Sequence, residues 1–170
     1  MAFDDSAQSG EELPLSDNVI NKGIGYACRL LGIREYSVKS IAEKIKQKGY
    51  SAKHTQQIVT FLLENNWLSD ERFCEAYLRS KSTKGIGEIR IRYELKQQGL
   101  SDELINETID TLQIEWQQHC DSAMKKKLST GLALNSLSDK QKIERFLRYR
   151  GYSGEQIKVS MHHFKNKLSD

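Results

Sequence analysis

An internal repeat constrains this chain more than any other feature. Gly49, Gly99 and Gly151 are the origins of three copies that keep one register without a gap. Twelve residues before each glycine stand Ser37, Gly87 and Asp139, residue types that can cap a helix N-terminus. Ile41, Ile91 and Ile143 lie eight before, Ile45, Leu95 and Leu147 four before, and Lys46, Lys96 and Arg148 three before. Ser51, Ser101 and Ser153 come two after. At six, ten and thirteen after, Thr55, Val59 and Leu62 match Ile105, Ile109 and Leu112, and then Ile157, Met161 and Phe164. Apolar residues four apart share one face of a helix. The chain is therefore a triplicated unit of about fifty residues.

Composition agrees with helix. There is one proline, Pro14, and only four valines in 170 residues. An apolar fraction of 38% suits helices with one buried stripe. The periodicity predicts helices over 19–31, from Tyr36-Ser37 to Lys48, and from Ser51 to about residue 66. Gly49 is expected to close the second of these in a left-handed cap. Ser69 should start the next helix, with Leu68 and Phe73 as a hydrophobic staple. Ile89 to Leu95 alternates like a strand, yet it carries the Ile91–Leu95 pair of the other copies and runs into Lys-Gln-Gln. Helix is favoured there, with Ile89 broadening its apolar face. The second unit should end in a helix over 102–114. The third unit reads as helices over 115–128, 139–150 and 154–168 with an enlarged loop at 129–138, and Ser153 and Gln156 have capping-box spacing. The expected fold is all-α: three tandem three-helix repeats, 19–68, 69–114 and 115–170, stacked into an elongated, curved array. Residues 1–18 are acidic and aperiodic and are expected to be a disordered tail.

Charge is segregated. The formal net charge is +3, but residues 1–18 carry −5, leaving +8 on the remainder. Residues 19–69 carry +5, residues 70–115 carry −3 and residues 116–170 carry +6. Two basic ends flanking an acidic middle would suit an extended, charged partner. No apolar run is long enough for a membrane helix, and the acidic N-terminus lacks a signal-peptide pattern, so the expected compartment is the cytoplasm.

No enzyme site converges, and the expected protein is not an enzyme and needs no cofactor. Asp70-Glu71 is explained by a helix start. His162 and His163 are adjacent, diverge on a helix and read as solvent-facing, so no metal site is expected. Cys28, Cys74 and Cys120 are spaced 46 apart without a C-x-x-C pair and read as passive, reduced fillers in the first helix of each unit. Lys84-Gly85-Ile86-Gly87 resembles a phosphate loop only loosely, lacking the G-x-x-x-x-G-K-[ST] spacing.

The remaining signal is basic. Lys44, Lys46 and Lys48 flank the apolar pair of the first unit, Arg90, Arg92 and Lys96 that of the second, and Arg145, Arg148 and Arg150 that of the third. Lys125, Lys126 and Lys127 lie nearby in sequence. These twelve are the candidate partner-binding residues, assigned from charge alone. A solvated helix face, or cations complementing helix C-termini, explains each of them individually. The short glycine-bearing turns also permit a helix-turn-helix reading, in which the chain binds nucleic acid without a protein partner.

The motifs RLLGIREYS and IAEKIKQKGYS, the run LSDERFCEAYLRSKSTKGIGEIRIRYELKQQGL, and RFLRYRGYS resemble the RecX family in order and spacing across residues 20–168. That resemblance implies a non-enzymatic regulator of the RecA recombinase. It would bind the recombinase and its filament on single-stranded DNA, as a monomer, with weak direct DNA contact as a further option. It would restrain strand exchange and co-protease activity. The family defines no partner-contact residue by motif.

Overall fold

The computed structural model describes residues 15–166. Those residues form α1 (Leu15–Leu31), α2 (Val38–Gln47), α3 (Ala52–Glu64), α4 (Asp70–Thr83), α5 (Glu88–Gln97), α6 (Asp102–Leu112), α7 (Trp116–Leu128), α8 (Leu137–Arg150) and α9 (Gly154–Asn166). No strand occurs among them, and Ile89–Leu95 is helical within α5.

Serines start the helices. The hydroxyls of Ser37, Ser51, Ser69, Ser101 and Ser136 accept from the N–H three residues on, at 3.1–3.3 Å. Ser153 and Gln156 form the reciprocal box, with Gln156 N–H donating to Ser153 Oγ at 3.1 Å and Ser153 N–H to Gln156 Oε1 at 2.8 Å. Each such cap contributes about 1 kcal/mol. The second helices end alike: Gly49, Gly99 and Gly151 have φ of +101°, +90° and +92°. The residue after each glycine donates back to the helix, Tyr50 to Ile45 O, Leu100 to Leu95 O and Tyr152 to Leu147 O, at 3.2–3.4 Å.

The repeated apolar positions build three successive cores. Ile41 and Ile45 sit with Ala27, Ile58 and Leu62; Ile91 and Leu95 with Leu78 and Ile105; Ile143 and Leu147 with Cys120 and Met124. All of these side chains have no solvent exposure. Burying one isoleucine or leucine stabilises the fold by about 1.5–3 kcal/mol. Within each set of three, the outer helices pack together (α1 on α3, α4 on α6, α7 on α9), and α4 lies against α7.

Several details depart from expectation. The first helix starts at Leu15, before Val19, so residues 15–18 are helical; the rest of the expected tail lies outside the described residues. Ile89 is 59% exposed, because residues two apart on a helix point in nearly opposite directions and Ile91 holds the core face. Asp139 does not cap α8: the helix begins a turn earlier with Ser136 as N-cap, and the Asp139 carboxylate accepts from Ala133 N–H. The 129–138 loop sends Leu134 into the third core. His163 is exposed but engaged, its Nδ1 lying 3.1 Å from Asp121 Oδ2.

Candidate partner-binding surface

The surface is set by how the second helices meet end to end. At the junction of α5 with α8, Gly87 N–H donates to Arg150 O at 2.8 Å and Ile89 N–H to Gly151 O at 3.2 Å. The Arg150 Nη1 crosses the same junction to Lys84 O (2.8 Å) and Gly85 O (3.2 Å). Gly87 is the N-cap of α5 and supplies no side-chain cap; the last carbonyls of α8 satisfy the helix start instead. At the junction of α2 with α5, Lys39 Nζ donates to Gln97 O at 2.9 Å and Ser37 Oγ to Gln98 Oε1 at 3.2 Å. The helices α8, α5 and α2 thus run head to tail, each C-terminus facing the next N-terminus, with their dipoles aligned.

Side chains brace the second of these junctions, between the first and second units. Asp70 Oδ1 accepts from Val38 N–H at 2.9 Å, so a residue at the start of α4 serves α2 of the preceding unit. Burial pushes the Asp70 carboxyl above the ordinary range, against the pull of that hydrogen bond. Arg72 pairs with Glu35 at 3.1 Å and also donates to Asn66 Oδ1.

The candidate cations divide by unit. All three of the middle unit are engaged: Arg90 with Glu94 (2.9 Å), Arg92 with Glu88 (2.7 Å) and Lys96 with Asp102 (2.7 Å). Glu94 also accepts from Tyr77 Oη at 2.6 Å and pairs with Lys81 at 3.1 Å. Burial alone would raise its pKa, but these donors outweigh burial and hold the carboxyl below its ordinary range. Arg90 further stacks on Tyr149, 5.0 Å from its centroid, across the junction. In the third unit Arg148 pairs with Glu144 at 2.8 Å, and Arg150 belongs to the junction.

The rest carry no carboxylate partner among the described residues. Lys46, Lys48, Lys125, Lys126 and Arg145 are exposed. Lys44 lies over Tyr36, Lys48 over Tyr26 and Lys127 over Phe146, at 5.7, 5.8 and 5.2 Å. The uncompensated charge therefore sits on α2 at one end and on α7 and α8 at the other. Sequence reading found these cations but not the partners that neutralise the middle set. It also missed Gly87, Asp70 and Arg150 as junction residues, because each acts on a segment distant in sequence.

Burial raises the pKa of the Cys74 and Cys120 thiols, which keeps them neutral and poorly nucleophilic. Among the described residues, no group of three or more His, Cys, Asp or Glu is placed to hold a metal ion, and no helix is long and apolar enough to cross a membrane.

This geometry defines a class: a helical-repeat protein whose charged surfaces lie on short three-helix units joined end to end. Residues 69–109 match the family model for the second three-helix domain of RecX, and residues 113–159 that for the third. Regulatory protein RecX of Pasteurella multocida (strain Pm70) is 35% identical over 135 residues, covering 79% of this chain and 82% of the relative. Regulatory protein RecX of Legionella pneumophila (strain Corby) is 35% identical over 138 residues, covering 81% and 91%. The chain belongs to the RecX family. A crystal structure of RecX from Lactobacillus salivarius shares the fold, with a TM-score of 0.73 at 18% identity over 88% of this chain and 98% of that one.

Proposed function

We propose that this protein regulates a RecA-type recombinase in the cytoplasm, binding the recombinase and its filament on single-stranded DNA and restraining strand exchange and co-protease activity. Membership of a family whose relatives are named regulatory proteins is the observation that carries this reading. The charge distribution supports it. Units joined end to end present uncompensated cations on α2 and on α7–α8, separated by the α5 face of the middle unit, where Arg90, Arg92 and Lys96 are internally paired. Two basic surfaces held apart by a fixed spacer suit a long, anionic, periodic partner. Binding and steric obstruction suffice for such regulation, and no bond-making step is assigned to the chain.

The test is filament affinity and inhibition of strand exchange, each at two salt concentrations. Reversing Lys44, Lys46 and Lys48 to Glu, or Lys125 and Arg145 to Glu, should weaken both, more so at low salt. Reversing Glu103 and Glu107 to Lys should not. If both cation variants fold and still inhibit like the unaltered protein, these surfaces do not contact the filament.

A further inference from the structure

The loop joining α4 to α5 and the helix α7 enclose a cleft between the second and third units. Its narrow part, about 60 Å³, is lined by Thr83, Lys84 and Gly85 on one side and by His119, Ser122 and Lys126 on the other, with Arg150 and Phe146 closing it. No carboxylate lines it. Lys84 and Lys126 are exposed and form no ion pair among the described residues. Arg150 is only partly used: Nη1 holds Lys84 O and Gly85 O, leaving the Nε and Nη2 donors. Gly85, at φ +73°, gives the loop its sharp turn, and an added Cβ there would approach Arg150 Nη1 at 3.3 Å. Three cations thus converge on a hollow with room for about two waters, which suits an oxyanion and not a ring.

The hollow does not end there. Thr83 and His119 also line a wider one of about 330 Å³, bounded by Arg79, Ser82, Leu112 and Ile114. Its wall combines two apolar side chains with hydroxyls and an imidazole, the mixture that takes up a sugar and base. We propose that this cleft is a nucleotide site. Lys84, Lys126 and Arg150 hold a phosphate in the narrow part, and the attached nucleoside lies over Leu112 and Ile114. The ligand is a phosphate-bearing nucleoside, free or as one residue of a strand. Because Lys84 belongs to one unit and Lys126 to the next, occupancy ties the two units together. The site stands apart from the α2 cations and from Lys125 and Arg145.

The test uses the whole chain without recombinase, so its failure leaves the regulatory reading intact. Pyrophosphate, ADP and an oligo-dT strand are titrated separately, following backbone amide shifts for the small ligands and fluorescence anisotropy for the strand. ADP, the strand or both should bind saturably, with ADP moving the amides of Thr83, Gly85, His119 and Ser122. Lys84→Glu with Lys126→Glu should weaken that binding by at least about tenfold, the loss of two charge-assisted contacts. Lys53→Glu with Lys158→Glu, an equal charge change outside the cleft, should alter it by less than about twofold. Lys84→Gln with Lys126→Gln repeats the measurement without introducing negative charge. Binding by ADP assigns a free nucleotide, and binding by the strand alone assigns a nucleic acid. The proposal is overturned if neither binds, if the cleft variants bind as the unaltered chain does, or if pyrophosphate binds as tightly as ADP and the strand.

Discussion

Replacing Gly87 with alanine should break the junction between the second and third units. Gly87 has φ −81° and ψ 162°, ordinary extended backbone that alanine adopts without strain. Any cost must therefore come from contact. A Cβ at Gly87 would run into the carbonyl carbon and oxygen of Gly151 and lie 2.6 Å from Tyr152 N. All three are backbone atoms and cannot rotate aside as a side-chain tip would. To admit the methyl, the ends of α5 and α8 must part, which forfeits the bonds Gly87 N–H to Arg150 O and Ile89 N–H to Gly151 O. Two such bonds contribute about 1 kcal/mol each, and overpacking adds about 1–3 kcal/mol, so the expected loss is roughly 3–5 kcal/mol. Gly49→Ala is the control. Its φ of +101° strains alanine, but nothing lies within 4 Å of the added methyl, so about 1–2 kcal/mol is expected. The glycine with unremarkable dihedrals should thus be the less replaceable of the two. Urea denaturation gives the energies, and hydrogen exchange at the Ile89 amide reports the junction directly. A Gly87→Ala protein within about 0.5 kcal/mol of the original, with that amide still protected, would refute the reasoning.

Ile91→Ala or Leu95→Ala should each cost about 2–5 kcal/mol in a thermal or urea melt, since both side chains are fully buried in the central core. Asp70→Ala should lose about 1 kcal/mol, the cap on Val38 N–H, whereas Asp70→Asn should match or exceed the original at neutral pH by retaining an acceptor without a desolvated charge; equal stability of the two variants would show that the bond across the junction has no energetic role. Glu94 has a depressed folded-state pKa, so its contribution is present above the ordinary carboxylate range and is lost as pH falls through the folded value. Glu94→Gln should therefore flatten the acid limb of a stability–pH profile measured by urea midpoints, and an unchanged limb would argue against the cluster.

What was legible in the sequence is what acts locally. The Ile41–Ile45, Ile91–Leu95 and Ile143–Leu147 pairs, the serine caps and the left-handed glycines all work within one helix or its adjoining turn, so spacing alone locates them. Gly87 and Asp139 share a repeat position with Ser37, and the register suggested one role for all three. Ser37 and Gly87 both stand at the N-cap, but only Ser37 caps with its side chain, the hydroxyl accepting from Ser40 N–H, and Asp139 gives up the position to Ser136. Gly87 is dictated by Gly151, and nothing near it in sequence carries that information. The candidate cations were visible as residue types, but their availability depends on partners: Arg90 and Lys81 share Glu94, which lies on the helix of one and across from the helix of the other.

The fate of Asp139 follows from where the column of second helices stops. The start of α2 receives Gln97 and Gln98 of α5, and the start of α5 receives Arg150 and Gly151 of α8. Among the described residues no helix follows α8 in the column, so its first turn is completed by its own segment. It extends by a turn beyond the repeat register, takes Ser136 as its cap, and turns Asp139 back to Ala133 N–H and to Lys142 at 2.9 Å. A terminal unit that cannot share its polar ends with a neighbour has to differ from the consensus of the array. The opposite end of the column is finished less completely: the left-handed Gly49 has open space around it, where Gly99 meets Lys39 and Gly151 meets Arg90. The three copies therefore share a buried pattern but not a surface. Their equivalent positions face a neighbour, a self-made cap or solvent according to their place in the series.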